Sequence, residues 1–362
     1  MESRNRPGAA INAGEARDGM GTGKRSRLTM FTAAAIAAFF LAAGGAAAKK
    51  AADPAGLRGA AFSDPKQQAV MPPGWAAKPV VHEDWATDAD VTVVMDQDIY
   101  HTMVWLIQNY AAKNGLKIVA REGTCGIAAG MLARKAIDMG GFCCPASKDD
   151  RFPGIRYHTL GIVGKAFFVH PDNPIDTLST SDLRDIYRGR LRRWSDLKTK
   201  NQKPGPDRTI KAIGRLHCAE RPGHWRLLLD KQEHFSPRMF EVGSIPDMIS
   251  RVSSAPSAIG WEVLSMVDRY KDRGRVKVLS LDGYRPNDPE ALATLRYPFY
   301  RTYTITTWEG KGTSNKNAQA LADYLIKAVE SLSTERYGFV PASRLRKAGW
   351  KFYGNELVGE PK

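Results

Sequence analysis

The chain has 362 residues, with 53 Lys or Arg against 38 Asp or Glu, which gives a formal net charge of +15 at pH 7. This length suffices for two domains with separate cores, and the 43% hydrophobic content excludes a disordered or fibrous protein. The positive charge favours anionic ligands. Because the sequence has no basic run with interleaved aromatic residues and no zinc-finger spacing, we expect no nucleic-acid partner.

The N-terminal segment has the pattern of an export signal. Residues 23–50 combine a basic start, an apolar stretch and small residues at 46–48, in the order found in secretory signal peptides. We predict a signal peptide over 1–48, cleavage near Ala48, and a periplasmic or secreted mature protein. The alternative is an uncleaved anchor, because the apolar stretch is long enough to span a bilayer. Residues 49–88, rich in Pro, Gly and Ala, are predicted to form a flexible lead-in.

The next region alternates between short strands and amphipathic helices. The predicted strands cover 91–95, 117–122 and 137–142, and the predicted helices lie within 98–115 and 123–136. The strands are indicated by β-branched and apolar runs, and the helices by apolar residues three or four positions apart. This β-α-β-α-β order predicts a parallel sheet with helices on its faces.

The first of these helices has boundary signals at both ends. Asp96 or Asp98 can cap its start, because a carboxylate accepts hydrogen bonds from the exposed N–H groups of a first turn. Gly115 can end it, because glycine readily adopts the left-handed conformation that closes many helices.

A long apolar run at 157–174 contains Gly161 and Gly164. Its length suits a strand that leaves one domain and enters another. The later predicted elements are a helix within 180–197, a strand at 209–215, a helix starting within 221–232, strands at 258–267, 276–283 and 297–308, and a helix at 314–331.

Five short motifs in this order resemble the periplasmic phosphate-binding proteins of the type 2 periplasmic-binding-protein superfamily. They are NPIDTLSTSDLRDIYRGRLRRWSDL (173–197), APSAIGWEVL (255–264), LDGYRPN (281–287), LRYPFYRTYTI (295–305) and ERYGFVPA (335–342). The corresponding family features are an aromatic-X-Gly turn before Trp-Ser, an Ile-Gly-aromatic strand, Asp-Gly-X-X-Pro, Tyr-Pro-X-X-Arg and a closing Gly-Phe-Val-Pro. Each motif is weak alone, and their common order makes the resemblance specific.

The resemblance implies an α/β fold of two lobes with the ligand cleft between them. Lobe one would comprise 90–163 and 293–362, and lobe two 164–292. It also implies an exported, monomeric solute-binding protein that captures a small inorganic anion for an ABC permease or a membrane sensor. No enzyme signature such as GxSxG, HExxH or a P-loop is present, so we expect no catalysis. A thiol-dependent enzyme is the alternative of a different class.

In the resembled family, backbone N–H groups at helix starts hold the anion, as a helix dipole favours. The matching loops here are 95–101, 123–130, 141–147 and 215–225. The family's Ser-Gly-Thr motif is replaced by Arg-Pro-Gly-His at 221–224, so the expected ligand widens from phosphate to related oxyanions. The implied ligand-binding residues are Asp96, Gln97, Thr124, Cys125, Gly126, Cys143, Cys144, Arg215, Gly223 and His224.

Two of these residues have a second interpretation. Thr124 can donate its hydroxyl to an anion or cap the helix that starts at Cys125. Arg215 can clamp an oxyanion with two hydrogen bonds or form a surface salt bridge.

The four cysteines all lie in three of these loops, and three hypotheses account for them. Export favours disulfides between the loops. Alternatively, thiolates and imidazoles bind a soft metal or metalloid such as arsenite, copper or zinc, through Cys125, Cys143, Cys218 and His101. In the third, the cysteines are small packing residues and the protein needs no cofactor. Because loops after parallel strands converge on one crevice, we expect Cys125, Cys218 and the 143–144 pair to lie together.

Overall fold

The computed structural model describes residues 62–216, 228–229 and 232–362. The helices are α1 (Gln97–Asn114), α2 (Cys125–Ala133), α3 (Thr180–Arg188), α4 (Ile245–Ser253), α5 (Leu264–Arg269), α6 (Pro289–Ala293), α7 (Lys316–Ala328), α8 (Thr334–Tyr337) and α9 (Ala342–Lys347). Among the described residues, no helix combines the length and the apolar character needed to cross a membrane. The predicted signal peptide, its cleavage site and the helix expected to start within 221–232 lie outside the described residues.

The described part of the chain contains fourteen strands. They are β1 (Val91–Asp96), β2 (Ile118–Gly123), β3 (Met139–Phe142), β4 (Ile155–Val169), β5 (Thr177–Leu178), β6 (Lys211–Gly214), β7 (Phe240–Glu241), β8 (Ala258–Val263), β9 (Lys277–Val278), β10 (Ser280–Leu281), β11 (Tyr300–Trp308), β12 (Phe339–Pro341), β13 (Lys351–Tyr353) and β14 (Glu356–Gly359).

The first helix and its neighbouring strands form as predicted. β1 pairs in parallel with β2 on one side and with β3 on the other. Asp96 caps α1, because its Oδ1 accepts a hydrogen bond from the backbone N–H of Asp98 at 3.1 Å. Gly115 closes α1 in the left-handed conformation, with φ of 63°. The carboxyl ends of three parallel strands therefore meet at one edge of the sheet.

β4 carries the sheet from its first part to its second. The strand order is β2-β1-β3-β11-β4-β8-β6-β7, with β9 and β12 also paired to β4. The first part of β4 pairs antiparallel with β11, and its last residues, from Lys165 to Val169, pair antiparallel with β8. β6 runs parallel to β8, so their carboxyl ends also lie together. The lobe boundaries at 163 and 292 remain predictions.

Two predicted strands differ from the structure. The strand expected at 258–267 ends at Val263, and α5 follows, because a helical turn keeps Met266 in the core while Asp268 and Arg269 reach solvent. The strand expected at 276–283 is divided into two, because its first part, β9, pairs with β4 and its second part, β10, pairs with β5.

Glycine is required where β4 passes beneath the loop that carries Pro286. A Cβ atom at Gly164 would overlap the backbone carbonyl oxygen of Pro286, while the Gly164 N–H donates to the carbonyl of Gly338 at 2.9 Å. We expect Gly164→Ala to lower the free energy of unfolding by at least about 2 kcal/mol, because backbone on both sides prevents relaxation. Urea denaturation measures this loss. Gly243→Ala, which would meet open space, is the matched control, and equal midpoints for the two variants would contradict the expectation.

Candidate functional site

Two buried ion pairs lie where the two groups of strand ends meet. Arg301 of β11 places its Nη1 atom 2.6 Å from Oδ2 of Asp98, in the first turn of α1. Arg215, directly after β6, donates from Nε to Oε1 of Glu262 on β8 at 2.7 Å. All four side chains are at most 2% exposed. Besides burial and Arg301, both members of the second pair act on the pKa of Asp98, so the two pairs belong to one centre.

Lys165 of β4 adds a third cation to this centre. Its side chain is fully buried, and burial lowers its pKa to about 7, with the positive charge of Arg301 acting in the same direction. Glu262, Cys144 and Asp98 oppose this decrease. Lys165 therefore changes its charge near neutral pH, which an exposed lysine does not do.

The acidic groups near these cations differ in the direction of their pKa shifts. Burial raises the pKa of Asp98 to about 7, although the nearby Arg301 works in the opposite direction. Burial also raises the pKa of Asp96 well above its ordinary value. Burial acts on Glu262 as well, yet Arg215 and Arg301 hold its pKa below the ordinary value. With Glu262 as the main anion opposite Lys165, Arg215 and Arg301, the centre has an excess of positive charge. The three cations, Glu262 and Asp98 are called the charge centre below.

Three cysteines form a sulfur cluster beside the charge centre. The Sγ atom of Cys143 lies 3.6 Å from that of Cys125 and 3.8 Å from that of Cys144, and all three sulfurs lie within 4.8 Å of one another. These separations are nonbonded, so no disulfide joins the three residues to one another. Arg301 donates from Nη1 to Cys143 Sγ at 3.0 Å, which ties the sulfur cluster to the charge centre. Hydrogen bonding to Cys143 and Cys144, together with burial, raises the pKa of Cys125 well above its ordinary value.

The predicted ligand residues of the first two loops lie around this cluster. The Asp96 side chain is buried, and its Oδ2 accepts from the Cys125 thiol at 3.7 Å. Thr124 caps α2, because its Oγ1 accepts from the Ile127 N–H at 3.2 Å. Gln97 is partly exposed, and Gly126 is exposed at the start of α2. The structure thus supports the capping interpretation of Thr124, while anion binding by these residues remains a prediction.

The predicted metal set of Cys125, Cys143, Cys218 and His101 is only partly brought together. Cys125 and Cys143 are in contact, but His101 places its Nε2 atom 3.0 Å from Oε2 of Glu122, because α1 directs this side chain toward β2. Within the described part of the chain, His101 belongs to neither group of closely spaced ligand atoms. The role of His101 as a ligand therefore remains a prediction that this geometry does not support. Cys218, Gly223 and His224 lie outside the described residues, as does any disulfide to Cys218.

The structure shows one of the two interpretations of Arg215, and anion binding by this residue remains a prediction. It also adds residues that the sequence analysis missed. Arg215 forms a salt bridge, as one interpretation expected, but in the interior rather than at the surface. Arg301 and Glu262 fall inside two of the family-like motifs, at the arginine of YPFYR and after the tryptophan of IGW, and were not singled out. Lys165 is a lone charge within a long apolar run. Such an interrupted run is a usable signal, because a lysine is almost never fully buried unless it is paired or functional.

Comparisons with known proteins agree with this architecture. A family model described as a PBP superfamily domain matches residues 81–329. The phosphate-binding protein PstS of Bacillus subtilis strain 168 is 26% identical over 192 residues, which cover 52% of this chain and 58% of that protein. The match therefore spans less than two thirds of this relative.

Two solved structures share the fold at low sequence identity. A putative phosphate ABC transporter substrate-binding protein with bound phosphate from Clostridium perfringens is 17% identical, with a TM-score of 0.58, and the match covers 70% of this chain and 99% of that one. An ABC-type phosphate transport receptor from Vibrio cholerae is also 17% identical, with a TM-score of 0.54 and coverage of 69% and 99%. The predicted α/β fold of the two-lobed binding proteins is confirmed.

Proposed function

Because the chain belongs to the PBP superfamily, we propose that it is an exported solute-binding protein that captures a small oxyanion, phosphate or a close relative, at the charge centre. It would present the bound anion to an ABC permease or to a membrane sensor and would act as a monomer, without catalysing a reaction. The predicted lobes, 90–163 with 293–362 and 164–292, would close on the ligand.

The observation that carries this proposal is the convergence of three buried cations on the strand ends. Lys165, Arg215 and Arg301 come from three different strands or strand ends and share the charge centre with Glu262. The carboxyl ends of parallel strands are where α/β folds of this kind bind ligands. α1 and α2 both start at this edge, and the positive ends of their dipoles add to the attraction for an anion.

Phosphate is favoured as the ligand by the similar proteins. The Bacillus relative is a phosphate-binding protein, and the Clostridium structure contains bound phosphate. The replacement of the family's Ser-Gly-Thr motif at 221–224 removes two hydroxyl donors, so arsenate, sulfate and molybdate are the other oxyanions to consider.

Isothermal titration calorimetry of the reduced protein with these four oxyanions tests the proposal. We expect one binding site per chain, with phosphate and arsenate competing for it. The proposal fails if none of the four anions gives a heat of binding while the protein is folded by circular dichroism.

The affinity for phosphate should decrease as the pH rises from about 6 to about 8, because Lys165 loses its charge in this range. The groups facing Lys165 are Arg301 from β11, Glu262 from β8, Cys144 from the loop after β3 and Asp98 from α1, and ionisation of Asp98 acts in the same direction. Lys165→Met should therefore bind phosphate more weakly at pH 6 and show a flatter profile.

Phosphate itself also changes its protonation state in this pH range. This effect is the same for the wild type and Lys165→Met, so it cancels when their profiles are compared. Calorimetric dissociation constants at several pH values supply the two profiles. Parallel profiles for the wild type and Lys165→Met would show that Lys165 is not the titrating group.

A further inference from the structure

The sulfur cluster of Cys125, Cys143 and Cys144 has a geometry that packing alone does not require. The three residues come from two separate loops, one after β2 and one after β3, yet their Sγ atoms all lie within 4.8 Å of one another. The three side chains are at most 2% exposed. Two loops have thus placed three polarisable ligand atoms around one point in the interior.

The sulfur separations match those around a single soft atom. An atom with bonds of about 2.3 Å to sulfur, at angles between about 90° and 110°, needs sulfur–sulfur distances of about 3.3–3.8 Å. The observed separations of 3.6 and 3.8 Å, from Cys143 to its two neighbours, lie in this range. The third separation, between the Sγ atoms of Cys125 and Cys144, is at most 4.8 Å, so it would have to shorten by about 1 Å or less to lie in the same range.

Because the cluster is buried, it favours a soft ligand whose complex with three sulfurs carries no net charge. Zinc or copper(I) held by three thiolates adds net negative charge to the interior, which Arg301 and the other cations of the charge centre would have to compensate. Arsenite at neutral pH is the uncharged trihydroxide, and its complex with three thiols is also uncharged. Arg301 contacts both Asp98 and Cys143, and an uncharged complex adds no charge beside them.

We propose that the reduced protein binds trivalent arsenic, or a trivalent metalloid of the same chemistry, through the sulfurs of Cys125, Cys143 and Cys144. Three arsenic–oxygen bonds break and three arsenic–sulfur bonds form. Each thiol proton leaves with one hydroxide as water, so three waters are released and no atom changes its oxidation state. The proposed site uses the three sulfurs as ligands, lies next to the charge centre through Arg301, and does not depend on which oxyanion the protein binds.

The buried sulfur cluster lies close in sequence to solvent-exposed residues. Gly126 and Ile127 directly follow Cys125, and both are exposed, with Ile127 at 51%. An exposed isoleucine at the start of α2 marks the point where the helix end meets solvent. Movement of this first turn would open a path to the sulfurs without disturbing the sheet.

Thiol titration and native mass spectrometry test the proposal on the full mature protein, reduced and desalted. One equivalent of sodium arsenite should protect three thiols and add the mass of one arsenic atom minus three hydrogens. Cys218→Ser is the matched variant, because every thiol that remains then belongs to the cluster. It should bind arsenite with the same one-to-one stoichiometry and a dissociation constant within about threefold of the wild type.

Single replacement of Cys125, Cys143 or Cys144 by serine should weaken arsenite binding at least tenfold, because only two sulfurs of the cluster remain. Arsenic X-ray absorption of the wild-type complex should show three sulfur neighbours, a readout that does not depend on any variant folding. The proposal is overturned if arsenite protects no thiol, if Cys218→Ser loses binding, or if zinc alone protects the cluster and arsenite does not displace it.

Discussion

Replacement of Arg301 by methionine is expected to reduce phosphate affinity more than a hundredfold and to destabilise the fold. Arg301 contacts both Asp98 and Cys143 in the interior, so its loss removes a cation from the charge centre and leaves buried partners uncompensated. Truncating one partner of a buried charge pair costs about 2–5 kcal/mol in binding and about 3–5 kcal/mol in folding. Lower pH should restore part of the stability, because Asp98 is then protonated.

Calorimetry gives the affinity of this variant, and urea denaturation gives its free energy of unfolding. Arg156→Met is the matched control, because Arg156 of β4 has a side chain that is 57% exposed and pairs with the exposed Glu309. Exposed pairs of this kind contribute about 0–1 kcal/mol. If Arg301→Met binds phosphate with wild-type affinity, the charge centre is not the anion-binding site.

Glu262→Gln is expected to act in opposite directions on binding and folding. Glu262 is the main anion of the charge centre, so its neutralisation increases the positive charge available to a ligand. We expect phosphate to bind about tenfold more tightly, or about 1.4 kcal/mol. Without ligand, the free energy of unfolding should fall by about 3 kcal/mol, because Arg215 loses its buried partner.

Thermal unfolding with and without phosphate measures both effects in one experiment. The variant should unfold at a lower temperature than the wild type without ligand and gain more stability from phosphate. Glu309→Gln, at an exposed pair, is the control and should change neither quantity. Weaker phosphate binding in Glu262→Gln would mean that Glu262 contacts the ligand as a hydrogen-bond acceptor rather than limiting the charge.

The local features of the fold could be predicted because short-range chemistry determines them. Asp96 caps α1 and Gly115 ends it as expected, since capping depends on a few neighbouring residues. The contact between Cys125 and Cys143 also followed from the sequence, because the loops after β2 and β3, the parallel strands on either side of β1, converge at one edge of the sheet. Both inferences needed only strand order and residue type.

The charge centre could not be assembled in the same way. Arg301 meets Asp98 only because β11 runs antiparallel between β3 and β4, and Arg215 meets Glu262 only because β6 pairs with β8 in a particular register. Neither pairing is encoded in a local pattern. The direction of the His101 side chain could not be predicted either. Its position in the loop 95–101 did not show that it would contact Glu122.

Native mass spectrometry of the protein purified from its own cell envelope is the most direct test of the central claim, because it detects the captured species without assuming its identity. Each wild-type chain should retain one small oxyanion, which added phosphate replaces, and Arg301→Met should retain none. A folded wild-type chain that carries no oxyanion even after exposure to excess phosphate, arsenate, sulfate and molybdate would contradict it.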